Sequence, residues 1–264
     1  MSTFGKKLEA ITRKWWFFVV VVLLFFIPSY SSKPYDPRWT SKLITAILSN
    51  PLIYTVPILM PVFKILPVLL IISLIIWGDR ATRVFDAYVA VTILLFALFQ
   101  NSAITVEYGF AVMLGNVLVY LLVAGAWFWE AVVKLNSFTP RRRPFWQYWV
   151  VPVAFLAFWF PFNTVTLGPD FSFIQLAANS AGLTTCMMLP VYLAVLALYY
   201  PTVNTIVLRI TALAGTITGL LNIMQWFIST SHPWLGILHL PLLTISIYAL
   251  VLSFRKKQVA TTGI

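Results

Sequence analysis

Charge is the scarcest commodity in this chain. Of its 264 residues only 9% are charged, against 61% hydrophobic, whereas a soluble domain carries about 25% charged residues. Too few polar side chains exist to cover a water-facing surface, and runs such as Trp15–Ile27 and Val68–Trp77 hold no charge at all. Acids are rarer still, with 7 Asp+Glu against 18 Lys+Arg. One cysteine, Cys186, excludes an intrachain disulfide. No acidic dyad, HExxH, GxSxG or phosphate-binding glycine loop occurs, which counts against the common hydrolases and nucleotide enzymes. No basic groove with interleaved aromatics occurs either, so nucleic acid is not an expected partner. The two histidines, His232 and His239, lie seven apart on one helical side, and a metal site wants three or four ligands. No metal or cofactor is expected.

What the chain does have is apolar runs of membrane-crossing length, about 20 residues each. They predict an all-α bundle of eight spans forming one integral-membrane domain over residues 1–264, multi-pass and placed in the plasma membrane. The spans read as 13–30, 64–78, 84–104, 108–129, 145–162, 173–199, 204–227 and 234–254. The first follows Lys6, Lys7, Arg13 and Lys14 without a small-x-small cleavage site, so it is expected to be retained. Segment 43–62 is apolar enough to cross, but Asn50-Pro51, Pro57 and Pro61 break a straight helix. The positive-inside rule decides its course. With eight spans, 14 of the 18 basic residues face the cytoplasm and four (33, 38, 42, 64) face outside; a ninth crossing at 43–62 turns this into 5 and 13. Both termini are therefore expected inside, and segment 40–62 becomes an interfacial or re-entrant outer element, its interfacial form being an amphipathic helix at 40–49 with a proline-bent connector. Tryptophans 15, 16, 77, 127, 129, 146 and 149 then fall at the inner boundary, and 39, 159, 226 and 234 at the outer one, as aromatic belts.

Each acid has an ordinary role on this reading. Glu9 and Asp36 sit in water, Asp79 and Asp86 flank Arg83 at helix-pair spacing, and Glu130 precedes Lys134 by four. Glu107 and Asp170 begin the fourth and sixth spans, where the helix dipole favours an anion. Arg209 snorkels to the cytoplasmic face. No carboxylate lies mid-membrane, which disfavours a proton pump or cation-coupled carrier. Uncharged polar groups are more informative. Gln100 and Asn101 lie near the outer end of the third span. Asn116 and Asn179 each lie nine residues past a span-start acid, Asn222 and Gln225 share a face of the seventh span, and His239 is about 10 Å below His232 at 1.5 Å per residue. These depths place Asn116, Asn179, Asn222, Gln225 and His239 in one outward-facing polar site partly roofed by the segment at 43–62. Arg141, Arg142 and Arg143, held between Pro140 and Pro144, are the expected contact for anionic lipid headgroups at the cytoplasmic face. Gly215-Thr-Ile-Thr-Gly219 is a small-residue seam for internal helix packing.

Depth counting from Asp170 sets Cys186 in the cytoplasmic half of the sixth span, away from His239. The order Cys186, Asn222, His239 resembles the C-terminal part of the exosortase and archaeosortase transpeptidases, over about a quarter of the chain. Those enzymes carry a glycine two residues after the cysteine and an arginine three after the asparagine, where this chain has Met188 and Gln225. The resemblance implies a membrane-embedded cysteine transpeptidase, lacking here the cation that stabilises the electrophile. The polar cluster instead points first to binding or carriage of a small neutral or weakly polar solute or lipid. A non-catalytic membrane subunit, held to protein partners by aromatic and small-residue faces, is the alternative.

Overall fold

The charge-free runs are helices in the computed structural model, which describes residues 2–56, 58–139, 143–163, 166, 168–229 and 233–255. In chain order these are α1 (Thr3–Thr12), α2 (Trp15–Phe25), α3 (Thr40–Ser49), α4 (Leu59–Trp77), α5 (Thr82–Leu95), α6 (Leu114–Val133), α7 (Val150–Trp159), α8 (Gln175–Ala178), α9 (Thr185–Tyr199), α10 (Thr205–Ser229) and α11 (Leu240–Phe254). Five helical stretches are long and apolar enough to cross a bilayer: Met60–Arg80, Thr82–Gln100, Leu114–Val133, Thr205–Ile228 and Leu235–Phe254. A sixth joins them if Gln175–Leu183 and Thr185–Tyr199, bent by 95°, form one span. The apolar helices Trp15–Phe25 and Phe145–Trp159 are shorter. The chain is a helical membrane bundle. Its centre is α10, 72% buried over its most apolar window, whereas the α4 span is peripheral at 22%. Gly215 faces Ser246, Leu189 and Leu242, and Gly219 faces Leu243, so the small-residue seam seats α11 on α10.

Hydrogen bonds define two ends of the bundle. At the basic end α1 docks on α10 and α11. Arg209 is fully buried, and its guanidinium donates to Glu9 Oε1 at 3.1 Å, Thr12 Oγ1 at 2.7 Å and the Ser253 carbonyl at 2.8 Å. It does not snorkel, and Glu9 is not simply in water. The acids near this end also depart from helix-pair expectations. Asp79 accepts from the Phe138 amide at 2.7 Å and from the Ser137 and Thr139 hydroxyls. Asp86 and Glu130 are fully buried. Asn136 donates its side-chain amide to Asp86 at 3.0 Å and its backbone N–H to Glu130, while Asn204 donates to Glu130 at 2.6 Å. The linker after α6 therefore competes with Arg83 and Lys134 for these carboxylates; Asp86 and Glu130 are out of water, where unmet acceptors cost most, while Asp79 stays exposed. Trp127, expected at the boundary, is buried too, with its indole N–H on Thr211 Oγ1 at 3.0 Å.

The opposite end carries a cap that an all-α expectation lacks. Strands β1 (Tyr30–Ser31), β2 (Ser102–Thr105) and β3 (Gly109–Val112) form an antiparallel sheet in the order β1-β3-β2. Residues 102–112, expected to finish one span and begin the next, form its hairpin. The helix stops because α5 runs into a π-helical turn at Phe96–Gln100. Asn101 then donates to the Phe96 carbonyl at 2.8 Å, and β-branched Ile104, Thr105 and Val106 favour extended chain. Helix α3 lies on this sheet with Leu43 and Ile47 fully buried against Ala103, Tyr108 and Ala111. At ten residues it spans about 15 Å, too little to cross. The segment thus takes the form of a helix at 40–49 and a bent connector, with a 3-10 turn at Leu52–Thr55 leading into α4.

The sixth apolar run is the largest departure. Residues 173–199 are not one helix: β4 (Phe162–Asn163) pairs with β5 (Gly168–Pro169), α8 follows, and α9 starts only at Thr185. Asn179 breaks the run. Its side chain accepts from the Ala181 amide at 3.0 Å and donates to the Trp159 and Phe160 carbonyls at 2.7 and 3.1 Å. Lys64, the first residue of the expected second span and counted as facing outside, is 1% exposed and donates to the Phe158 carbonyl. Together they satisfy the orphan carbonyls at the end of α7, where a cation is also favoured by the helix dipole.

Candidate functional site

Because α9 begins at Thr185 and ends at Tyr199 near Arg143 of the basic end, Cys186 sits in its first turn at the capped end. Counting from Asp170 as though one helix continued had put it in the other half. The consequence is chemical, since Cys186 now shares a cavity of about 760 Å³ with Asn116, Asn179, Asn222 and His239. Four of the five expected polar residues therefore come together, from α6, the turn before α9, α10 and the start of the last span. The fifth, Gln225, is turned away: its amide donates to Ser41 Oγ of α3 at 2.7 Å.

The cavity is built by helix ends. Gln100 from the π-turn of α5 accepts the Thr185 backbone amide at 2.9 Å, capping α9 from a neighbouring helix. Asn116 donates to Asn101 Oδ1 at 3.0 Å. On the α6–α10 wall the Tyr120 and Thr218 hydroxyls pair at 2.6 Å, and Asn222 donates to Cys186 Sγ at 3.0 Å. His239 also lines the cavity, its Nδ1 covered by protein atoms beside the Leu235 and Gly236 backbone. No Lys, Arg, Asp or Glu side chain lines it among the described residues. The lining adds aromatic and thioether surface from residues such as Tyr54, Phe160, Met113 and Met187. Such a mixture of apolar walls and a few placed polar groups is the usual make-up of a small-molecule site, and its volume lies in the usual range of roughly 300–1,000 Å³.

Gln100, Asn101, Tyr120, Thr218 and Cys186 join the site without having been assigned to it from sequence. For Gln100 and Asn101 a signal existed, their position at the outer end of a span. For Cys186 the signal was the turn-forming run Asn179-Ser-Ala-Gly182 just before it. His232 lies outside the described residues, as do Arg141 and Arg142; the guanidinium of Arg143 stacks on the Tyr199 ring at 4.6 Å. No group of three or more His, Cys, Asp or Glu residues that could hold a metal ion occurs among the described residues. Comparison with known proteins finds no matching family, curated protein or solved structure.

Proposed function

We propose that the chain binds, and carries or presents, a small neutral or weakly polar solute or lipid in the cavity at its capped end. The observation that supports this is the convergence of Asn116, Asn222 and His239 on one cavity with no charged side chain among its lining. An ion would be unpaired there, whereas amides, hydroxyls and an imidazole suit a ligand with its own donors and acceptors. We take the capped end to face outside and the basic end to face the cytoplasm, with eight spans and both termini inside. On that eight-span reading 14 of the 18 basic residues fall on the cytoplasmic side, as the positive-inside rule asks.

Two experiments test this reading. In intact cells, with Cys186→Ala as background, a membrane-impermeant maleimide should label Glu107→Cys at the hairpin and leave Lys6→Cys unlabelled; the opposite pattern inverts the topology. For the cavity, the protein extracted from its native membrane should release an uncharged small molecule detectable by mass spectrometry. His239→Phe or Asn222→Leu should cut its yield about tenfold, the equivalent of one lost hydrogen bond to the ligand. Gln225→Leu should leave the yield within about twofold, since its amide serves Ser41 rather than the cavity. Equal yields from all variants would remove the site.

A second reading draws on the 3.0 Å contact between Asn222 and Cys186 and on His239 sharing their cavity. The resemblance to exosortases and archaeosortases implies that the Cys186 thiol attacks a peptide carbonyl, His239 delivers the proton to the departing amine, and a second amine takes the acyl group from the thioester. Against it stands Gln225, which holds Ser41 where those enzymes carry an arginine, so no cation is supplied to the oxyanion. A covalent acyl adduct on Cys186, lost in Cys186→Ala, would select this reading. An unmodified thiol and undiminished ligand in that variant would select the carrier.

A further inference from the structure

Between the peripheral helix α4 and the start of α5 runs a trough of about 590 Å³, lined by Leu69, Leu70, Ser73, Trp77, Arg80, Ala81 and Val84. Its walls are apolar, because Ser73 spends its hydroxyl on the Leu70 carbonyl of its own helix. From Leu69 to the end of α4 at Trp77 is about 12 Å at 1.5 Å per residue. That is most of the depth of one leaflet, half of a hydrocarbon core about 30 Å thick. Arg80 is the one charged residue lining the trough among the described residues.

The charge there is uncompensated for a reason visible in the linker. Asp79 and Asp86 lie four before and three after Arg83, near enough to neutralise it. Both are instead taken by residues 136–139: Asp79 by the Phe138 amide and two hydroxyls, Asp86 by the Asn136 side chain. Arg80 and Arg83 are left exposed, and neither takes part in an ion pair among the described residues. The exposed Arg80 guanidinium in the trough lining, with exposed Arg83 three residues on, matches the chemistry of an anionic phospholipid, with one acyl chain in the trough and the phosphate on the arginines. We propose that this trough is a binding site for one anionic phospholipid, separate from the ligand cavity at the capped end. Trp77, 60% exposed beside it, suits the interfacial level.

The test uses the full chain in detergent with phosphatidylglycerol or phosphatidylcholine of identical acyl chains, and counts retained lipid by native mass spectrometry. Wild type should retain phosphatidylglycerol about tenfold better, and the double variant Arg80→Gln/Arg83→Gln should lose that preference while keeping its melting midpoint. Val84→Trp, which fills the trough and leaves the arginines, should lower retention of both lipids. Equal retention of the two lipids by wild type overturns the proposal. So does displacement of phosphatidylglycerol by inorganic phosphate at equal concentration, because the site would then read the anion without the chain.

Discussion

Glu9→Ala should lower the protein's unfolding free energy by about 3 kcal/mol, more than any other single acid-to-alanine change at an exposed or half-buried position. Arg209 is fully buried, and Glu9 is the acid that meets its guanidinium. Removing Glu9 strands a positive charge out of water, and that stranding rather than the lost attraction sets the size of the effect. The figure is at the lower end of the range for buried pairs because the Glu9 side chain keeps 22% of its exposure. Glu9→Ala combined with Arg209→Leu should recover most of the loss, since a neutral pair leaves no charge behind. Acid supplies an independent check. Burial pushes the Glu9 carboxyl up, but the bonds and charges of Arg209 and Arg13 outweigh it and hold the group below its ordinary 4.5. A lowered folded value means that the stabilisation is complete above 4.5 and is lost as pH falls through the folded value. The gap between wild type and Glu9→Ala in thermal midpoint should stay constant from neutral pH to about 4.5 and shrink below it. A gap unchanged in acid would show that the cost is packing, not charge.

Gly115→Ala carries the second large effect. A β-carbon there would stand 2.4 Å from the Leu24 carbonyl oxygen and 2.8 Å from that of Phe25. These are backbone atoms of the end of α2, so relief requires the whole helix end to move away from α6. Overpacking of this kind costs about 1–3 kcal/mol, and a backbone neighbour puts it at the upper end. Gly125 offers an internal control on the same helix, because a β-carbon there meets nothing within 4 Å. Gly125→Ala should be neutral or stabilise by up to about 1 kcal/mol through helix propensity alone. If the two variants melt together, α2 does not rest on α6 as described.

The parts of the fold legible in the sequence were those that depend on local composition. Charge-free runs became helices, and the prolines after Asn50 ended one where expected, leaving α3 at Thr40–Ser49. The cap was not legible, because β3 owes its place to β1, nearly eighty residues earlier in the chain, and two-residue strands leave no periodicity to read. The site was half legible for the same reason. Depth arithmetic needs an unbroken helix: Asn222 lies within α10, whereas the count from Glu107 to Asn116 ran through the hairpin and the count from Asp170 to Cys186 through the turn at Asn179, though both residues still line the cavity. Same-face arithmetic also placed Gln225 with Asn222, but Ser41 on a different element claims its amide. Pairing rules for acids failed at Asp79 and Asp86 because donors from residues 136–139, fifty or more positions away, reached them first.

The cavity has a floor and a roof of different construction. Its floor is the wall of α6 and α10, joined by the Tyr120–Thr218 bond inside the most buried part of the bundle. Its roof is made of short pieces: the turn after Pro51, the extended chain at Phe160–Asn163, and the segments on either side of Asn179 and His239. Each piece has few residues in regular structure, and small openings of such pieces are cheap compared with separating long helices. If the cavity holds a ligand as proposed, admission would be set by these short segments and retention by the wall of α6 and α10.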